Sequence, residues 1–216
     1  MAWQQVALTM TIQSILNIQQ LSKKYAEHSV LRDLNLELHS SQRIAILGDS
    51  GCGKSTLLRI IAGLESPDSG SVVLQDPQKC QMVFQDLGLW PSHTAKQQLL
   101  MAAKASNFSE ATAAADMLLQ QLGIEHLADC KPATMSGGEA RRLAFARVLI
   151  CQPKLILLDE AFSSLDENNR VRGLDLLQEL LSHTDAAVIM VTHNLADAQH
   201  LNLPVFDLIK GQLHAR

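Results

Sequence analysis

The run GDSGCGKST, from Gly48 to Thr56, fits the pattern G-x-x-x-x-G-K-[ST]. These residue types suit the handling of a nucleoside triphosphate. Glycines let backbone N–H groups wrap the α- and β-phosphates, Lys54 reaches the β/γ oxygens, and Ser55 offers a hydroxyl to Mg²⁺. A helix opening at the end of the run adds the favourable partial charge of its N-terminus. Nucleotide contacts are therefore assigned to Gly48, Asp49, Ser50, Gly51, Cys52, Gly53, Lys54, Ser55 and Thr56.

Two carboxylates close an apolar run further along, KLILLDE at 154–160. Asp159 is placed to hold Mg²⁺ through water, and Glu160 to polarise the attacking water. A strand ending in acidic residues is commonplace by itself. Beside a phosphate loop it becomes the second half of a hydrolytic site.

A third stretch, TMSGGEARR from Thr134 to Arg142, precedes an apolar-periodic helix. Ser136 and Glu139 have the S-x-x-E spacing of a capping box. That leaves Gly137 and Gly138 unexplained, because each costs roughly 1 kcal/mol against alanine inside a helix. Close approach of the backbone to an anion would explain them.

The elements that must position these groups alternate between strand-like and helical runs, the α/β pattern. RIAIL (43–47) leads into the phosphate loop and KSTLLRIIAGL leaves it as a helix. KLILLDE and AAVIMVTH (186–193) are continuous apolar runs, as expected of central parallel strands covered on both faces. Residues 71–74 and 81–84 read as a short hairpin around Asp76-Pro77. The stretch 94–123 is rich in Ala, Leu and Gln and reads as two helices, the second opened by Ser109 and Glu110 and capped by Gly123.

Bulk composition narrows the function classes. At 216 residues the chain can bury one substantial core or one core and a small lobe. A net charge of −4 and an aromatic content of 4% argue against a nucleic-acid partner. Cys52, Cys80, Cys130 and Cys151 are widely spaced and form no C-x-x-C pair, which points to reduced thiols in a cytosolic setting. No apolar run is long enough to span a membrane. The opening MAWQQVALTM lacks the positive start of a signal peptide and reads as a frayed leader.

Taken in order, GDSGCGKST, Gln85 in VFQD, MSGGE, LILLDE, SSLD and His193 resemble the motif set of the ATPase subunit of an ATP-binding cassette (ABC) transporter. The resemblance runs from about Ile15 to Gly211. It implies an α/β fold: a P-loop NTPase core with a mostly parallel sheet, a small trimmed antiparallel β lobe and a helical subdomain. The single domain would divide into a core with its β lobe (1–91 and 136–216) and the helical subdomain (92–135).

By the same resemblance, two ATP molecules with Mg²⁺ are sandwiched between two copies. Each is held by one copy's phosphate loop and by Ser136, Gly137, Gly138 and Glu139 of the other. Glu160, His193 and Gln85 are implied to be catalytic, with Ser55, Gln85 and Asp159 at the metal. Tyr25 is implied to lie against the adenine. Ser163, Ser164, Leu165 and Asp166 would lie across the dimer, Asp166 at the nucleotide. A membrane-spanning permease would dock near Leu87, Leu89 and Trp90, with the chain peripheral on the cytoplasmic face of the cell membrane.

Several positions depart from the family pattern. MSGGE replaces the usual LSGGQ, Ala161 stands where proline is common, and Asn194 follows His193 where aspartate is usual. Glu139 puts a carboxylate near a triphosphate, which is unfavourable unless it folds back on the Ser136 amide. Soluble ABC ATPases of iron–sulfur assembly and chromosome maintenance also carry SGGE, so a soluble assembly ATPase is the alternative reading. The interval from Lys54 to Gln85 is short for the family.

Overall fold

The computed structural model describes residues 14–106, 110–163 and 165–216. The opening ten residues, Ser109 and Ser164 lie outside the described residues. Two sheets organise the chain. The strands Ser14–Tyr25 (β1), His28–His39 (β2) and Ser69–Leu74 (β4) form an antiparallel sheet in the order β2-β1-β4. Six others form the second sheet: Arg43–Leu47 (β3), Cys80–Val83 (β5), Leu155–Asp159 (β6), Ala187–Thr192 (β7), Val205–Ile209 (β8) and Gln212–Ala215 (β9). Their order is β5-β6-β7-β3-β8-β9, parallel throughout except for the final β8–β9 hairpin.

The apolar runs explain the central strands. Every residue of β6 and β7 is buried. Alternation then sends their side chains to opposite faces. Ile44, Ile46, Leu155, Leu157, Ile189 and Val191 pack toward the antiparallel sheet and the helix Lys54–Ile61 (α1). Leu47, Ile156, Leu158, Val188 and Met190 pack on the other face against Leu174, Leu177 and Leu181 of the helix Glu167–Ser182 (α5).

A third cluster joins the helices Ala95–Ala105 (α2), Ala111–Gln121 (α3) and Gly137–Leu149 (α4) through Leu99, Ala115, Leu119, Leu143 and Ala146. Phe145 and Val148 of α4 belong instead to the core beneath the sheet. This helix is therefore shared by the core and the α2–α3 pair. A short helix, Leu195–His200 (α6), follows β7.

One sequence expectation is corrected. Residues 71–74 and 81–84 do not form a hairpin. β4 pairs antiparallel with β1, Val72 opposite Ile18, whereas β5 pairs parallel with β6, Val83 opposite Leu158. The turn at Asp76-Pro77 carries the chain from one sheet to the other.

Candidate nucleotide-binding site

The phosphate loop leaves the buried strand β3 and enters α1 at Lys54. Gly53 has φ +110, and a Cβ there would lie 2.8 Å from the Val30 carbonyl oxygen of β2, so the backbone path excludes a side chain. Lys54 is buried. Its Nζ donates to the carbonyls of Gly48 (2.7 Å) and Asp49 (2.9 Å), bridging the mouth of the loop. The same nitrogen lies 3.5 Å from Glu160 Oε1.

The carboxylates at the end of β6 meet the loop. The Ser55 hydroxyl donates to Asp159 Oδ1 at 2.7 Å. Glu160 turns out of the strand with φ +46 while its N–H donates to the Val191 carbonyl of β7 at 3.1 Å. A non-glycine residue in this left-handed region carries of order 1 kcal/mol of strain, of the kind that accumulates at functional sites. His193, directly after β7, places Nδ1 3.4 Å from Glu160 Oε2. Lys54, Ser55, Asp159, Glu160 and His193 thus converge from the ends of two parallel strands and the start of one helix.

The other assigned residues fall at varied distances from this cluster. Tyr25 ends β1, is 45% exposed, hydrogen-bonds Glu65 and lies 3.4 Å from Thr56 Oγ1, so it stands beside the loop helix. That hydroxyl, then Lys23, holds the Glu65 carboxyl below its ordinary value. Gln85 is exposed two residues beyond Val83, whose register partner Leu158 is two residues before Glu160. Asp166 caps α5 by accepting the Asn169 N–H at 3.1 Å, which lowers its pKa.

Ser136 and Glu139 form both bonds of the capping box. Glu139 Oε2 accepts from the Ser136 N–H (2.7 Å) and from its hydroxyl (2.8 Å), and the Glu139 N–H reaches Ser136 Oγ at 3.4 Å. A Cβ on Gly137 or Gly138 would meet no atom within 4 Å. Internal packing therefore gives no reason for the two glycines. Among the described residues, no hydrogen bond or ion pair links this cap to the phosphate loop of the same copy.

The Ser136 amide and then its hydroxyl hold the Glu139 carboxyl below its ordinary value, with His126 and Arg142 adding to the effect. The sign follows from linkage: a carboxyl depressed in the fold contributes above its unfolded pKa and loses that contribution as pH falls through the folded value. A carboxylate NMR titration should place the Glu139 midpoint below that of a free glutamate, and Ser136→Ala should raise it. A midpoint at or above the ordinary value would contradict the folded-back geometry.

Three positioning groups escaped the sequence reading. Arg147 of α4 donates to the carbonyls of Gly88 (2.6 Å) and Leu87 (3.0 Å), and its guanidinium lies 5.2 Å from the Trp90 ring centroid. Asp197 of α6, buried at 3% exposure, accepts the Thr192 hydroxyl at 3.1 Å and pairs with Arg170 of α5. The Asn194 N–H in turn donates to Thr192 Oγ1 at 3.0 Å, so this network grips the residues on both sides of His193. Arg141 is buried with its guanidinium 5.7 Å from the Phe162 ring, tying α4 to the segment after Glu160. The Thr192–Asp197 contact is local, but Arg147, Arg141 and Arg170 meet partners distant in sequence, so no local pattern announces them.

A strand–loop–helix that cradles phosphate, joined to strand-end carboxylates, defines a P-loop nucleotide-binding protein. Residues 31–163 match the profile of the family described as ABC transporter. The chain is 38% identical over 192 residues to the aliphatic sulfonates import ATP-binding protein SsuB 1 of Nocardia farcinica, covering 89% of this chain and 77% of that one. It is 36% identical to a protein of the same description from Pseudomonas syringae pv. tomato, over 95% of this chain and 74% of that one. An ABC transporter assigned to the metal-chelate type, solved in an inward-facing conformation, superposes with a TM-score of 0.82 at 27% identity, over 94% of this chain and 82% of that one. The chain belongs to the ABC transporter family of ATP-binding subunits. It binds ATP and hydrolyses it to power transport. No helix among the described residues is long and apolar enough to cross a membrane.

Proposed function

We propose that two copies of this chain close over two ATP molecules and drive a membrane-spanning permease that imports a small solute. The convergence of Lys54, Ser55, Asp159, Glu160 and His193 carries this reading for the hydrolytic half. The Ser136 cap supports the rest. Its glycines face open space and it makes no bond to its own phosphate loop, which suits service to a nucleotide on a second copy. The import relatives support the direction, with the chain peripheral on the cytoplasmic face. The soluble assembly reading is not favoured: the relatives are transporter subunits, and the Glu139 carboxylate that suggested it is engaged within its own helix cap. The division into a core with its β lobe and a helical subdomain over 92–135 is kept as part of the proposal.

Mg²⁺ fits the residues present. No cluster of three or more His, Cys, Asp or Glu suited to a metal occurs among the described residues. The protein instead offers one hydroxyl and one carboxylate, Ser55 and Asp159, within 2.7 Å of each other. That suits a hard cation held mainly by phosphate oxygens and water, and Gln85, just beyond β5, would add a side-chain oxygen to that set. When bound, the ion neutralises charge on the β- and γ-phosphoryl oxygens.

The residues then divide the work. The backbone amides of 48–56 and Lys54 hold the β- and γ-phosphates, and Tyr25 offers a half-exposed ring to the adenine. Glu160 accepts a proton from the attacking water. The water oxygen forms the new bond to the γ-phosphorus as the bond to the β–γ bridging oxygen breaks and ADP leaves. His193 holds Glu160 on one side and Lys54 on the other. Asp166, the cap of α5, would face the second copy's nucleotide.

For the permease the proposed contact is Leu87, Leu89 and Trp90. Trp90 is 37% exposed, while its backbone N–H is fixed by buried Gln98 Oε1 at 3.1 Å. The backbone is anchored there, and the ring packs beside the Arg147 guanidinium and the His93 ring. Tagged protein should retain a stoichiometric polytopic membrane protein from detergent-solubilised membranes, and Trp90→Ala should cut that recovery about tenfold. Soluble partners alone would overturn the permease reading, and undiminished recovery with Trp90→Ala would remove the docking assignment.

A further inference from the structure

Glu139 occupies the polar capacity that its neighbour Ser136 would need for a phosphate. One carboxylate oxygen, Oε2, takes both Ser136 donors, the N–H at 2.7 Å and the hydroxyl at 2.8 Å. The other oxygen lies 3.8 Å from His126 Nε2 of the same copy. Among the described residues, the remaining hydrogen bond of the Ser136 hydroxyl oxygen is as acceptor of the Glu139 N–H. A carboxylate is a stronger acceptor than a carboxamide and carries a charge that repels a triphosphate. Gly137 and Gly138 leave the approach to the first turn of α4 open, so Glu139 is the group a phosphate meets there.

We infer that Glu139 is a latch on the SGGE helix and sets the ATP concentration at which two copies close. Closure requires the Ser136 hydroxyl hydrogen to leave Glu139 Oε2 for a γ-phosphoryl oxygen of the partner's ATP, while the carboxylate swings from the incoming charge. No covalent bond changes. A glutamine at the same position keeps the cap, because its carboxamide oxygen still accepts the Ser136 N–H. It holds the hydroxyl less strongly and presents an N–H donor toward the phosphate. This inference rests on the proposed closure of two copies over ATP.

The test uses the full chain carrying Glu160→Gln, with the dimer population followed by analytical ultracentrifugation as ATP and Mg²⁺ are raised. Adding Glu139→Gln should lower the half-maximal ATP concentration about tenfold, the scale of one charge-assisted hydrogen bond gained. The shift must appear in dimerisation and not in nucleotide binding by the chain when too dilute to dimerise. In the Glu160-intact chain, Glu139→Gln should lower the KM for ATP, whereas loss of a merely structural cap raises KM or lowers kcat. An unchanged or higher midpoint with Glu139→Gln overturns the latch. Ser136→Ala in the Glu160→Gln background separates the two ideas. It should abolish dimerisation if this helix meets the partner's ATP, and dimerisation at the parent midpoint would sink the cross-copy reading and the latch together.

Discussion

Replacing Glu160 with glutamine is expected to lower kcat for ATP hydrolysis by about 10²–10⁴-fold, the usual contribution of a positioned general base. The substitution is nearly isosteric. It keeps a side-chain oxygen within reach of Lys54 Nζ, now 3.5 Å from Oε1, and a polar group 3.4 Å from His193 Nδ1. The backbone at φ +46 suits glutamine no worse than glutamate, so little stability should be lost. What disappears is the basicity and the negative charge. ATP affinity should therefore hold or rise as phosphate release falls. Single-turnover phosphate release, set beside equilibrium nucleotide binding, measures both. A kcat within about threefold of the parent would remove Glu160 from the proposed role of base and leave the water to another group.

The second large effect is on the fold. Asp197→Ala removes a buried acceptor used by Thr192 and a charge used by Arg170. Removing the Asp197 carboxylate costs about 3 kcal/mol, because the Thr192 hydroxyl loses its buried acceptor and Arg170 keeps only Glu167. For a domain of this size that corresponds to a fall in Tm of about 6–12 °C. Asp197→Asn should lose roughly half as much, since its amide oxygen still accepts the Thr192 hydroxyl while the charge is gone. Thermal and urea unfolding of both variants check the order. Because Thr192 also anchors the Asn194 amide, the alanine variant should lose hydrolysis beyond what its melting explains, as His193 loosens. A drop below about 2 °C would mean that Arg170 is satisfied by Glu167 alone, which it contacts at 2.6 Å.

The parts of the site legible in the sequence were those in which chemistry is local. The phosphate loop begins where RIAIL ends as β3, and α1 starts at Lys54 itself. KLILLDE and AAVIMVTH became wholly buried parallel strands because an unbroken apolar run can be satisfied only with both faces covered. The capping box needed four residues and one helix.

What stayed hidden depends on pairing across long stretches of chain. Two short apolar segments flanking Asp76-Pro77 look like a hairpin at close range, and only β1 and β6, elsewhere in the sequence, claim one each. The turn between β1 and β2 gave no signal either. Tyr25 pairs with His28 across only Ala26 and Glu27, and Ala26 sits at φ +49 where asparagine or glycine would have announced a tight turn. Arg147 is invisible for the same reason, since an arginine on a helix reads as solvated until the carbonyls of Leu87 and Gly88 arrive beside it.

That arginine gives α4 the character of a connecting rod. Its foot is bolted to the backbone of the loop that carries Trp90, and its head is the Ser136 cap about ten residues, or roughly 15 Å, away. An α-helix barely compresses along its axis, so a thrust received at the foot arrives at the head nearly undiminished and without delay by diffusion. Under the proposed docking, the permease and the partner's ATP push on opposite ends of a single stiff part. Coupling between them is then a matter of linkage geometry, with the two Arg147–carbonyl bonds as the joint at the foot.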